Sequence, residues 1–92
     1  VEAEPEGLGV LICGTGIGVS ITANRHPGIR AALCATELQA RLAREHNNAN
    51  VLCLGARIIG DELARAINDA FLEGHFAGGR HQRRLDRINL PA

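Results

Sequence analysis

The segment Leu8-Gly9-Val10-Leu11-Ile12-Cys13-Gly14-Thr15-Gly16-Ile17-Gly18-Val19-Ser20 constrains this chain more than any other stretch. An apolar run ends on a cysteine, and glycine then stands at every second position. The run predicts a buried strand. The glycines predict a loop whose backbone N–H groups can approach a ligand closely, because no Cβ intervenes. A helix after the loop would place those N–H groups at the positive end of its dipole, which favours an anion. A cysteine at the mouth of such a loop sits where its thiolate is stabilised.

The remaining pattern predicts two further strand–helix pairs. Strand one is Leu8–Cys13, and its helix runs from the glycine loop to about Asn24, stopped by His26-Pro27-Gly28. Strand two is Ile29–Cys34. Thr36 caps the next helix, with Gln39 three residues on in a capping-box pattern. Leu38 and Leu42 fall four apart on one face, with Ala40 and Ala43 beside them. That helix ends near His46, and Asn47-Asn48-Ala49-Asn50 forms a loop. Strand three is Val51–Leu54. Gly60-Asp61 opens a helix whose apolar face is Leu63, Ile67, Ala70 and Phe71, and Gly74 closes it. A basic helix at about Gln82–Ile88 is expected last. Alternating strands and helices of this length mean a parallel sheet with right-handed crossovers.

Ninety-two residues make one small domain at most. Ten basic and ten acidic residues balance, so nothing global points to nucleic acid or an anionic membrane. No apolar run nears the ~20 residues that span a bilayer. The N-terminal stretch is acidic and lacks the pattern of a signal peptide. The three cysteines, Cys13, Cys34 and Cys53, form no CxxC pair. They argue against a disulfide framework and zinc, and for a reducing cytoplasm.

Each chemical feature has a bland counterpart. The loop lacks the Gly-Lys of a P-loop, and the chain contains no lysine. Gly14, Gly16 and Gly18 fall one residue short of the dinucleotide spacing, although Glu37 lies near the distance expected of a ribose-binding acid. The bland reading of the loop is a tight strand-to-helix turn. Cys13 is either a small buried hydrophobe, as Cys34 and Cys53 are expected to be, or a reactive thiol. His46 is either a solvated helix-end residue or faces a ligand, possibly one bound to another subunit. Arg80 and Arg84 make either a solvated basic face or a fork for phosphate. Arg57 should lie at the same carboxyl edge of the sheet as the glycine loop, where ligands of open parallel sheets bind.

Taken in order and spacing, Leu11 to Gly18, Ala23-Asn24, Gly28 to Cys34, Glu45-His46-Asn47, Asn50-Val51-Leu52 and Gly78 to Gln82 resemble the ribose-5-phosphate isomerase B family, which includes the galactose-6-phosphate isomerase subunits. The resemblance covers nearly the whole chain. It implies a three-layer αβα Rossmann-like parallel sheet, of which this chain holds the C-terminal part: about three β-α units plus a basic C-terminal helix. It implies an aldose–ketose isomerase for a five- or six-carbon sugar phosphate, with no metal and no cofactor. In that likeness Cys13 moves the proton between C1 and C2, Thr15 assists at the sugar oxygens, and the backbone of Gly14, Thr15, Gly16, Ile17 and Gly18 holds the enediolate oxygen. His46 helps open the sugar ring and Asn47 contacts substrate. Arg80 and Arg84 hold phosphate, and Arg57 adds a contact. The family's site is shared between subunits of a dimer or tetramer. The family also begins with a strand–helix stretch bearing an Asp-His pair, which this chain lacks. These residues alone are therefore expected to be poorly active. A non-catalytic subunit and a dinucleotide-binding module remain as other readings.

Overall fold

The structure is a computed structural model and describes residues 7–77 and Ile88. Within them the order is β1 (Gly9–Cys13), α1 (Ile17–Ala23), β2 (Ala31–Leu33), α2 (Glu37–Asn47), β3 (Val51–Gly55) and α3 (Asp61–Glu73). The expected basic helix, with Arg80 and Arg84, lies outside the described residues apart from Ile88.

All strands are parallel and the order is β1-β3-β2. The chain therefore crosses the sheet one way through α1 and returns through α2. Right-handed crossovers in opposite directions place their helices on opposite faces. Leu52 and Leu54 of β3 accordingly cluster with Ala40 of α2 and with Ile67, Ala70 and Phe71 of α3. Val51 and Cys53 point to the other face, in register with Gly9 and Leu11 of β1. The result is an αβα sandwich with β3 at its centre, buried from Val51 to Gly55.

Two expectations about burial are corrected. β1 is not a buried strand: Val10, Leu11 and Ile12 are 42%, 39% and 63% exposed. Among the described residues only β3 pairs with it. The buried face of α2 is not built on Leu38 and Leu42 either. Ala40 is fully buried, while Leu38 is exposed. The helix lies close enough to its neighbours that a methyl group fits and an isobutyl group does not. Gly74, just past α3, shows the same closeness, because a Cβ there would meet Arg44 Cβ at 2.6 Å. On α3, Ile67, Ala70 and Phe71 are buried as expected, and Leu63 is exposed.

Asparagines fasten the amino edge of the sheet. Asn50, 5% exposed, accepts from Arg30 N–H at 2.8 Å and donates to Gly28 O at 2.8 Å. Its backbone carbonyl accepts from Gly9 N–H and its N–H donates to Arg30 O, both at 2.9 Å, so one residue ties together the entries to all three strands. Asn24, which closes α1, accepts from Ala31 N–H at 2.7 Å and donates to Ala31 O at 3.0 Å. Asn48 takes the left-handed conformation that ends α2, with φ 47°.

The capping box of α2 is formed as its sequence predicts. Thr36 Oγ1 accepts from Gln39 N–H at 3.1 Å, and Gln39 Oε1 accepts from Thr36 N–H at 3.2 Å. Thr36→Ala removes the cap, at about 1 kcal/mol. In a domain of this size that lowers the thermal midpoint by roughly 4–8 °C. A calorimetric scan in which the variant melts with the parent would contradict the role of the cap.

Candidate active site

β1 ends on Cys13 at the carboxyl edge, and the chain reverses through Gly14-Thr15-Gly16 into α1. Gly16 has φ 79°, the left-handed region that favours glycine. A Cβ on it would strike Leu33 Cδ1 and lie 3.0 Å from the Leu54 carbonyl carbon. Only glycine lets the loop lie this flat on the sheet.

The flat path aims backbone donors at one atom. Gly16 N–H donates to Cys13 Sγ at 3.1 Å. The first N–H groups of a helix have no partner inside it, and in α1 those of Gly18 and Val19 also act on the sulfur. The Cys13 thiol is half-buried and held below its ordinary range, chiefly by the Val19 N–H, then by Gly16, with burial opposing and Thr15 and Gly18 adding to the lowering. The donors favour the charged form and outweigh the desolvation. Cys34 and Cys53 are the contrast. Both are buried, and burial pushes the Cys34 thiol up to about 11 and raises that of Cys53. These two behave as the small hydrophobes expected, while Cys13 has the environment of a reactive thiolate. Thr15 is exposed, and its Oγ1 accepts from Ile17 N–H at 3.2 Å.

The turn after β3 meets this loop. Ala56 N–H donates to Cys13 O at 2.8 Å and Arg57 N–H to Gly14 O at 2.9 Å. The Arg57 side chain then lies over Gly14, with Cδ and Nε 3.5 Å from where a Cβ would stand. A permanent cation thus borders the thiol-bearing loop, at the sheet edge where its sequence position placed it.

His46 and Asn47 are not brought to this loop. They end α2, which starts at the carboxyl edge and runs back along the sheet. Ten residues of helix from Thr36 carry His46 about 15 Å away. Asn47 instead lines a hollow of about 890 Å³ at the amino edge, with Asn24, His26 and Arg30. Glu37 stands in the first turn of α2, where a carboxylate suits the helix dipole without any ligand. Among the described residues no three His, Cys, Asp or Glu side chains gather as a metal site. No helix there is long and apolar enough to cross a membrane.

Two participants escape a reading of the sequence. Val19 acts only through its N–H, so its side chain gives no sign. Gly55 borders the loop from the neighbouring strand, and only the β1–β3 pairing reveals it.

A parallel αβα sheet with a thiol seated in a glycine loop at its carboxyl edge is the frame of one group of proteins. The profile described as Ribose/Galactose Isomerase matches residues 1–88, and the chain belongs to that family. It is 52% identical over 80 residues to ribose-5-phosphate isomerase B of Escherichia coli, covering 87% of this chain and 54% of that protein. It is 46% identical over 92 residues to galactose-6-phosphate isomerase subunit LacA of Enterococcus faecalis, covering 100% of this chain and 65% of that one. Among solved structures it is similar to ribose-5-phosphate isomerase B from Mycoplasma genitalium with bound ribulose-5-phosphate. There the TM-score is 0.87 at 55% identity, over 89% of this chain and 54% of that one. The chain spans about half the length of the curated relatives it matches.

Proposed function

We propose that the chain carries the proton-transfer part of a sugar-phosphate isomerase site, interconverting an aldose phosphate and its ketose through an enediolate. The observation that carries this reading is the Gly16 N–H on Cys13 Sγ, in a loop whose neighbouring N–H groups converge on the same sulfur. The bound ribulose-5-phosphate of the Mycoplasma genitalium relative supports a pentose phosphate as substrate. The LacA relative keeps hexose phosphates in the class.

The chemistry follows from the charge. The Cys13 thiolate removes the proton from C2 of the open-chain aldose, and the electron pair moves to place negative charge on the C1 oxygen. The same proton, or one exchanged with water, returns to C1 as C2 becomes the carbonyl. Nothing is oxidised or reduced overall. Sulfur becomes neutral as oxygen becomes negative, so the donors that held the thiolate are released when the enediolate needs them. Preorganised donors at such an oxygen are commonly worth ~3 kcal/mol each. Thr15 Oγ1 relays protons between the sugar oxygens. Arg57 attracts the phosphate, and Arg80 and Arg84 complete its binding. Phosphate contacts remote from the reacting carbons fix the sugar's orientation.

His46 and Asn47 belong to this site only if a second copy brings them. Their ~15 Å separation from the carboxyl edge along α2 supports a shared site, as does the hollow beside Asn47. The reading is of a homodimer in which each copy lends its His46-Asn47 to the other's Cys13. The free thiols of Cys13, Cys34 and Cys53 agree with a reducing, cytoplasmic setting.

Mixing two inactive variants tests the reading. Cys13→Ser and His46→Ala each remove one half of a shared site. A mixed dimer then rebuilds one intact site, and exchange of the C2 proton of ribose 5-phosphate with D2O recovers to about a quarter of the parent rate at random assortment. Two variants that stay inactive after co-refolding exclude the shared site. A protein of the relatives' full length that contains this chain and exchanges no deuterium at C2 excludes the isomerase reading itself.

A further inference from the structure

The glycine loop is pressed against the end of β3 by features its own sequence does not contain. A Cβ on Gly55 would lie 2.5 Å from Thr15 O, 2.6 Å from Thr15 C and 2.9 Å from Thr15 Cα. All three distances fall well short of the ~3.5 Å at which such atoms rest against each other. The atoms met are backbone, so no side chain can swing aside. From the other side, a Cβ on Gly16 would lie 3.1 Å from Gly55 N. The two backbones therefore touch with nothing between them. Beyond this contact, Ala56 N–H and Arg57 N–H hold Cys13 O and Gly14 O. Residues 55, 56 and 57 thus grip residues 15, 13 and 14, which are the residues that carry the thiol and set the path of the next N–H groups.

We propose that Gly55 is a positioning residue for the Cys13 loop, acting through the Thr15 backbone and seconded by the Ala56 N–H. It touches no reacting atom. Any side chain at 55 pushes Thr15 off the sheet, carries the Gly16 N–H with it, and turns the donors away from Sγ. The proposal rests on the isomerase reading only for its consequence in turnover. Its structural content is read from Cys13 without substrate.

The experiment is the pH dependence of iodoacetamide alkylation at Cys13, located by peptide mass, on the chain as it stands. Thiolate is the reacting form. The parent's rate should reach half its plateau at a pH below the ordinary thiol value of about 8.5. The groups facing the loop among the described residues are few. Cys53 of β3 shares its sheet face, Arg57 lies over Gly14, and α1 presents N–H groups.

In Gly55→Ala the midpoint should rise by about one pH unit, so that alkylation at pH 7 slows ~10-fold, since less thiolate is present. Gly60→Ala is the control. It changes a glycine on the same connection where a Cβ would meet nothing within 4 Å, and it should leave the curve where it is. If Gly55→Ala does not melt cooperatively, Ala56→Pro decides. Ala56 is the second residue of a turn closed by Ile58 N–H on Gly55 O, a position where proline is favoured. The change therefore deletes the donor to Cys13 O and keeps the turn, and it should raise the midpoint in the same direction. A folded Gly55→Ala, or a folded Ala56→Pro standing in for it, with the parent's curve overturns the proposal. So does an equal shift in Gly60→Ala. A raised midpoint with isomerase activity absent even from a protein of the relatives' full length that contains this chain would leave the positioning role standing and remove the isomerase reading instead.

Discussion

Cys13→Ser is expected to slow deuterium exchange at C2 of ribose 5-phosphate by ~10³-fold, the middle of the range a general base contributes. Serine is nearly the same shape, and Cys13 is only half-buried at the end of β1. The fold and the sugar-phosphate contacts should persist. What changes is the acidity of the group. Four backbone donors lower a thiol from a range already close to neutrality, whereas the same donors acting on an alcohol start far above it. The variant should thus keep binding, seen by calorimetry with ribose 5-phosphate, and lose exchange, seen by proton NMR in D2O. Exchange at the parent rate would show that the base is another group. Loss of binding and exchange together would mean that the thiolate's charge, not its basicity, had been the contribution.

The parts of this site that were legible in the sequence are those fixed by neighbours in the chain. The N–H groups of Gly16 and Gly18 lie within five residues of Cys13, and a strand that stops at a cysteine before alternating glycines leaves little choice of path. The Thr36–Gln39 capping box is equally local. Features set by the sheet were not legible. The position of β3 between β1 and β2 decides that Gly55 backs the loop. It also leaves β1 with a single described neighbour and exposed, although its apolar run resembles that of the buried β3. Leu38 and Leu42 have helical spacing that fits a core face, yet α2 approaches its neighbours through Ala40. Periodicity names an apolar face, but not how near the next helix comes. The separation of His46 from Cys13 follows from element order alone, since a crossover helix must run back to the amino edge.

Asn50→Ala is expected to destabilise the fold by about 3 kcal/mol, well beyond Asn24→Ala. The comparison with Asn24 shows why. Each asparagine makes two side-chain bonds to backbone groups at the amino edge, at 2.7–3.0 Å. Counting bonds alone would rank them equal. Asn24 is exposed, so water replaces what it loses, and Asn24→Ala should cost about 1 kcal/mol, the net value of ordinary hydrogen bonds. Asn50 is 5% exposed. Removing its side chain leaves the half-buried Arg30 N–H without its acceptor and opens space beneath the entry to β3. An unsatisfied buried group costs ~1–3 kcal/mol, and the lost bond to Gly28 O adds about one more. At roughly 4–8 °C per kcal/mol, Asn50→Ala should melt about 15 °C below the parent and Asn24→Ala about 5 °C below it. Urea titration should give the same order. Equal losses for the two variants would show that water reaches the amino edge between the strands, and that Asn50 is no more the knot of the sheet than Asn24.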